Sequence, residues 1–242
     1  MKPYYQDEYV TIYHGDCREI VPTLGRFDLL LTDPPYGIGA YASGTMGGAG
    51  VARQSRYEAT TWDATAPPRE DLDALIAVAE KSVLWGGNYY DGNAAAKGWL
   101  VWDKLTGSNA FADCELAWSN LDCAVRKFTL RWQGMLRGGE ARLARRVHPT
   151  QKPVELMSWC IGLAGDVQTI LDPFAGSGTT GRAAKDLGRN AVLIEREERY
   201  CEIAARRMGQ GVLDFGTANA PAHGRRIRRT VEPIVGSLED GE

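Results

Sequence analysis

A glycine-rich turn between a short apolar run and a helix is the feature that most restricts this chain. Thr169-Ile170-Leu171 reads as a buried strand, Asp172-Pro173-Phe174-Ala175 as the turn at its tip, and Gly176-Ser177-Gly178-Thr179-Thr180-Gly181 as the entry to a helix. Glycines at such a place let backbone N–H groups approach a ligand closely. The spacing Gly176-x-Gly178-x-x-Gly181 meets the dinucleotide fingerprint. Glu195 follows 19 residues after Gly176, at the end of the next strand, where a carboxylate can accept from both ribose hydroxyls. A nucleoside-bearing ligand is expected. A Walker phosphate loop matches poorly, because Gly181 is followed by Arg182-Ala183. NAD stays open, and so does a turn that only packs helix on strand. Asp172 suits an ammonium better than an anionic pyrophosphate, which favours S-adenosylmethionine over NAD.

A second loop leaves another apolar run. Phe27 to Thr32 reads as a strand, and Asp33-Pro34-Pro35-Tyr36 follows it. An exocyclic amino group on adenine or cytosine is a weak nucleophile because its lone pair is delocalised into the ring. The Asp33 carboxylate and the Pro34 carbonyl, both accepting from that amine, would hold its lone pair out of plane and stabilise the developing positive charge. Consecutive prolines fix φ and remove competing N–H groups, and Tyr36 offers an aromatic face to an extruded base. Methylation of a ring carbon would need a thiolate, typically after proline, and none of Cys17, Cys114, Cys123, Cys160 and Cys201 follows one. The chemistry needs no metal, and the cysteines show no zinc spacing and read as reduced thiols.

With 242 residues, 44% hydrophobic and 24% charged, the chain can bury one full α/β core. No run reaches the length of a membrane span, and the first residues lack the apolar centre of a signal peptide, so a cytoplasmic protein is expected. A net charge of -3 gives no global attraction to nucleic acid, but between Arg126 and Arg146 seven basic residues face only Glu140. Arg126, Lys127, Arg131, Arg137, Arg142, Arg145 and Arg146 are therefore the candidates for phosphate contact. The tryptophans read as packing residues.

Further strands are expected at Glu8–Tyr13, Ser82–Trp85, Trp99–Trp102, Cys114–Trp118, Phe128–Trp132 and Asn190–Glu195, those from Trp99 on to Trp132 forming an antiparallel far edge. Helices are expected from Pro67-Pro68 through Leu72, Leu75, Ile76 and Ala79, then over Pro153–Leu163, Gly178–Leu187 and Glu197–Met208. The Gly/Ala/Ser-rich stretch Gly37–Val51 reads as a mobile loop. A weakly ordered tail carries Arg225-Arg226-Ile227-Arg228-Arg229.

These motifs resemble the beta class of amino-group DNA methyltransferases. In that family the Asp-Pro-Pro-Tyr motif precedes the Phe-x-Gly-x-Gly motif, and here Asp33 precedes Asp172 by 139 residues. His148-Pro149-Thr150-Gln151-Lys152-Pro153-Val154-Glu155-Leu156 resembles the family's segment upstream of the cofactor strand, which helps enclose the methionine end. Gly15-Asp16 resembles its turn beside the cofactor adenine, and Glu195 falls on its ribose-binding acid.

The resemblance implies an α/β class I methyltransferase fold, Rossmann-like, with circularly permuted motif order and a mostly parallel seven-stranded sheet. It implies S-adenosylmethionine as cofactor, DNA as partner and a prokaryotic or phage source. The implied catalytic residues are Asp33, Pro34, Pro35 and Tyr36. The implied cofactor residues are Asp16, Cys17, Lys152, Asp172, Phe174, Ala175, Gly176, Ser177, Gly178, Thr179 and Glu195. Asp at the head of Asp-Pro-Pro-Tyr is typical of adenine N6 enzymes and Ser of cytosine N4 enzymes. Adenine N6 is therefore expected, with cytosine N4 as the nearest variant; an NAD-binding oxidoreductase and a noncatalytic DNA-binding module are the readings from other classes. One catalytic domain is expected over 1–215, with small target-recognition elements near 37–56 and 103–147 and a flexible tail over 216–242. The sequence leaves open whether the chain forms a homodimer or has a restriction endonuclease partner.

Overall fold

Leucines that alternate between two helical layers build the middle of the sheet. The structure, a computed structural model, describes residues 1–38, 45–46, 55–56, 65–93, 95–106, 112–133, 136–137 and 151–210. Among them, one sheet joins β1 (Tyr5–Gln6), β2 (Val10–His14), β3 (Phe27–Thr32), β4 (Ala79–Trp85), β5 (Leu100–Asp103), β6 (Cys114–Ser119), β7 (Arg126–Thr129), β8 (Thr169–Asp172) and β9 (Asn190–Glu195). The helices are α1 (Cys17–Ile20), α2 (Arg69–Ala77), α3 (Val154–Ala164), α4 (Thr179–Asp186) and α5 (Glu198–Met208).

The order across the sheet is β1-β2-β9-β8-β3-β4-β6-β5-β7. The expected seven-stranded core runs from β2 to β5, and short strands at the two edges, β1 and β7, bring the sheet to nine. Strands β2, β9, β8, β3 and β4 are mutually parallel. Leu29 and Leu31 of β3 face the layer of α3, α4 and α5, while Leu30 faces α2 and α1, and all three are fully buried. A central parallel strand covered on both faces reads as a continuous apolar run for this reason.

β3 and β8 are neighbours although most of the chain separates them. Asp28 Oδ2 accepts from the N–H groups of Gln168 at 2.7 Å and Thr169 at 2.9 Å, and Thr169 Oγ1 accepts from Asp28 N at 3.0 Å. At the other end Thr32 Oγ1 donates to Asp172 Oδ1 at 2.7 Å. The register of the two strands is thus clipped at both ends.

Four expectations shift. α2 ends at Ala77, and Ala79, expected on that helix, opens β4 three residues before the expected Ser82. β2 begins at Val10 rather than Glu8, because Asp7 Oδ1 accepts from Tyr9 N at 2.9 Å and Val10 N at 2.8 Å and folds the entry into a turn. The last edge strand is Arg126–Thr129 rather than Phe128–Trp132, since its partner β5 ends at Asp103, and Trp132 pairs with Arg137 in a separate two-residue ladder. β6 is antiparallel to both neighbours as expected, but β7 runs parallel to β5. No helix among the described residues is long and apolar enough to cross a membrane. Most of the Gly37–Val51 stretch, His148 to Thr150 and the tail from 216 lie outside the described residues.

Register also places the far hairpin. Ala117 of β6 stands opposite Trp85, the last residue of β4, so Cys114, Glu115 and Leu116 project past that strand's tip, by roughly 10 Å at strand rise. Leu30→Ala, at a fully buried position, should cost about 2–5 kcal/mol of stability in urea denaturation, from lost transfer energy and the cavity left behind.

Candidate active site

Parallel neighbours end on the same edge, so β3 and β8 deliver the Asp33-Pro34-Pro35-Tyr36 and Asp172-to-Gly178 loops side by side. Both loops, with Gly15 to Arg18, Thr65 to Pro68, Gln151-Lys152 and Glu195 to Glu197, line a cavity of about 390 Å³. Its volume falls in the roughly 300–1,000 Å³ range of small-molecule sites. Asp16, Cys17, Lys152, Asp172, Phe174, Ala175, Gly176, Ser177, Thr179 and Glu195 all line it, as do Asp33 and Pro35. Gly178 stands behind the wall. It turns with φ 76°, and a Cβ there would lie 2.9 Å from the Ala204 Cβ, so the glycine allows the loop to sit on α5.

The glycine turn is held by carboxylates. Glu195 Oε2 accepts from Gly176 N and Oε1 from Glu197 N, both at 2.8 Å, which fixes the carboxylate at the cavity wall and leaves further lone pairs. Burial raises the Glu195 pKa. Asp172 Oδ1 accepts from Thr32 and from Phe174 N at 3.2 Å, and burial lifts its pKa to about 6. At the cavity's other end, Asp16 caps α1 by accepting from Arg18 N at 2.9 Å and pairs with the Arg18 guanidinium at 2.6 Å, which lowers its pKa.

The Asp33-to-Tyr36 loop sits in a chain of charges. Lys152 Nζ donates to Asp33 Oδ2 at 2.6 Å and to the Tyr36 hydroxyl at 3.0 Å, while that hydroxyl donates to Asp33 Oδ1 at 2.6 Å. Lys152 Nζ also lies 3.0 Å from Glu115 Oε2, and Glu115 is ion-paired on its other oxygen with Lys104. Burial alone would raise Glu115, but Lys152 and Lys104 outweigh it and hold its pKa at about 2. For Asp33 burial prevails, and its pKa is raised despite Lys152. Burial would lower Lys152, but Asp33 and Glu115 raise its pKa instead. The Pro34 carbonyl accepts from the Tyr90 hydroxyl at 2.8 Å.

Tyr36 is packed as well as bonded. Its ring stacks on Tyr89 with centroids 4.8 Å apart and planes 13° apart. Gly86 lies against it with φ 75°, and a Cβ at that position would fall 2.1 Å from Tyr36 Cε1. Only glycine fits there.

Glu115, Lys104, Tyr89, Tyr90 and Gly86 escape the sequence reading. Traces of them exist in retrospect, as a lone acid inside the otherwise apolar run Cys114-Glu115-Leu116-Ala117-Trp118 and a Gly86-Gly87 pair directly after a strand. Of the basic residues, Arg126 and Lys127 are exposed on outermost β7, where Lys127 pairs with Asp103 at 3.2 Å, and Arg131 is exposed just beyond. Trp85, Ala117, Leu100 and Arg126 share one level across the sheet, so β7 rises at the same edge as the cavity. Arg137 belongs to a two-residue ladder whose side chains are undescribed, and Arg142, Arg145 and Arg146 lie outside the described residues. Trp85, Trp102 and Trp118 are buried, as packing residues should be.

A family model described as DNA methylase matches residues 101–206. The type II methyltransferase M2.LlaDCHI of Lactococcus lactis subsp. cremoris is 24% identical over 255 residues, covering 87% of this chain and 93% of that protein. Both matches support a relationship of this chain to the amino-group DNA methyltransferases. Solved structures show this methyltransferase fold as well. The M1.HpyAVI–SAM complex superposes with a TM-score of 0.51 at 24% identity, over 82% of this chain and 99% of that one. The PvuII DNA methyltransferase (cytosine-N4-specific) gives 0.53 at 15% identity, over 85% and 88%.

The buried Asp172 has a pH signature. Its folded pKa of about 6 exceeds the unfolded value of 3.8, so the folded state holds the proton longer. Its contribution to stability is present at low pH and is lost as pH rises from about 4 to 6, a change on the order of 3 kcal/mol. Urea titrations across that window should show Asp172→Asn gaining stability relative to wild type as pH rises.

Proposed function

We propose that this chain is an S-adenosylmethionine-dependent DNA methyltransferase acting on adenine N6 of an everted base. The observation that carries the reading is the meeting of the two loops: the glycine turn with Glu195, and Asp33 with Pro35, line one cavity. Residues 1–215 form the catalytic unit in this reading, with target recognition drawn from 37–56 and 103–147.

The residues fit the cofactor. The Glu195 carboxylate, already oriented by Gly176 N and Glu197 N, retains lone pairs for ribose hydroxyls. Asp16, at the Gly15 turn, serves the adenine side, and Lys152 with Phe174 closes the methionine side. When bound, the cofactor supplies a methyl group on a positively charged sulfur that leaves with the bonding pair. The chain positions the acceptor. The Asp33 carboxylate, which takes bonds from Lys152 and Tyr36, and the Pro34 carbonyl, which takes one from Tyr90, are the two acceptors for the target amine. The partly buried carboxylate faces the nitrogen as it gains positive charge, before that nitrogen sheds a proton. The Tyr36 hydroxyl fixes the carboxylate's orientation, and the Tyr36–Tyr89 pair supplies the aromatic platform for the base. Arg126 and Arg131 serve DNA phosphates at the same edge.

Adenine is preferred over cytosine because Asp33 heads the Asp-Pro-Pro-Tyr motif. Cytosine N4 presents the same exocyclic amine, and nucleoside mass spectrometry after expression in a methylation-deficient host separates the two. Asp33→Ala should lower radiolabelled methyl incorporation into DNA by about 10²–10³-fold. Calorimetry should meanwhile find S-adenosylhomocysteine affinity little changed; retention of most activity would overturn the role given to Asp33. Glu195→Gln should instead weaken S-adenosylhomocysteine binding by about tenfold, through the loss of one charge-assisted acceptor.

A further inference from the structure

Lys152 holds the carboxylate that the target amine needs. Its ammonium is buried, 7% exposed, and two of its three N–H donors are spent on Asp33 Oδ2 and the Tyr36 hydroxyl. An amine that binds Asp33 in the out-of-plane geometry competes for the same oxygen. A buried ammonium pushed off its carboxylate without a replacement would be costly, because it would leave an unpaired charge away from water.

The replacement is already in place. Glu115 Oε2 lies 3.0 Å from Lys152 Nζ, within reach of the third donor of that ammonium. The other Glu115 oxygen is tied to Lys104, whose ammonium lies 5.3 Å from the Trp102 ring centroid. β6 carries Glu115 past the tip of β4, which is how a residue of the far hairpin reaches over the reacting loop.

On the reading that this edge methylates a base amine, we propose that Glu115 is a positioning residue which receives Lys152 when the target amine takes Asp33. Lys152 then has two stations. Before the base arrives it is shared between Asp33, Tyr36 and Glu115; with the base bound, Glu115 Oε2 becomes its carboxylate partner. No proton or electron changes owner in the exchange. The buried network keeps two ammonium groups against two carboxylates throughout, and one Asp33 acceptor is released for the substrate.

The test compares wild type, Glu115→Gln, Lys152→Met and the double variant in single-turnover methyl transfer to DNA at saturating cofactor. Glu115→Gln should slow transfer by about 10–100-fold, within the range of a lost hydrogen bond to a charged group, while S-adenosylhomocysteine affinity stays within about threefold. The acid limb of its pH–rate profile should move to lower pH, since a negative neighbour of Asp33 is gone. In the Lys152→Met background, measured above the acid limb, Glu115→Gln should change the rate less than about twofold, because no ammonium remains to be moved. Independent, multiplying losses from the two substitutions would overturn the proposal, as would a Glu115→Gln rate equal to wild type. If Glu115→Gln failed to fold by near-ultraviolet circular dichroism, Glu115→Asp, which keeps the charge but withdraws it by one methylene, replaces it. A smaller slowing is then expected, and a wild-type rate overturns the proposal. A wild-type protein that neither binds S-adenosylhomocysteine nor methylates DNA would defeat the methyltransferase reading itself.

Discussion

One buried ammonium ties the reactive edge together. Lys152 leads into α3 through Pro153, and its side chain meets the tip of β3 at Asp33, the ring hydroxyl of Tyr36 and the overhang of β6 at Glu115. Three pieces of chain that share no backbone hydrogen bonds at that level are thereby fixed to one another. Two carboxylates beside one ammonium would repel strongly in a dry site, and Lys104 supplies the fourth charge that balances them. Without Lys152 the Asp33 carboxylate would be buried with no cation in contact, and the loop that presents it would lose its fixed direction.

Aromatic packing does the complementary work. Tyr36 is stacked on Tyr89, bounded by Gly86 and bonded at its hydroxyl, so its position is set from several sides at once. Tyr90, next in the chain, holds the Pro34 carbonyl. The Gly86-to-Tyr90 turn after β4 thus supports the neighbouring loop after β3, which two prolines keep stiff but cannot aim. Polar function here rests on a support built from the next strand along.

Much of the fold is legible in the sequence because the central strands are short, apolar and punctuated. Phe27–Thr32 and Asn190–Glu195 are read to their end residues, and α3, α4 and α5 to within a residue or so, since Pro153, the glycine turn and Gly188 mark their limits. The far edge is harder. Whether β7 pairs parallel or antiparallel depends on where its partner stops, which no local pattern records. Of the site, the two loops and Glu195 are visible because they carry rare residue combinations at fixed spacing. The role of Glu115 is not, because it arises from the register of β6 against β4, a relation between segments about thirty residues apart in which each local sequence looks ordinary.

The double clip between β3 and β8 bears on how such a chain diversifies. Asp28 with Gln168 and Thr169 at one end, and Thr32 with Asp172 at the other, lock two strands together with bonds that lie wholly within the strands and their immediate flanks. The chain that joins them carries β4 to β7, α2 and α3, and length added to its surface loops enters the alignment of the two tips only weakly, because closing a longer loop adds little entropy cost. Length can therefore vary in the surface loops of that stretch, while the strands and helices it gives to the core are held in place. Insertions in those loops leave the two strand tips, and the Asp33 and Asp172 turns they carry, in the same register.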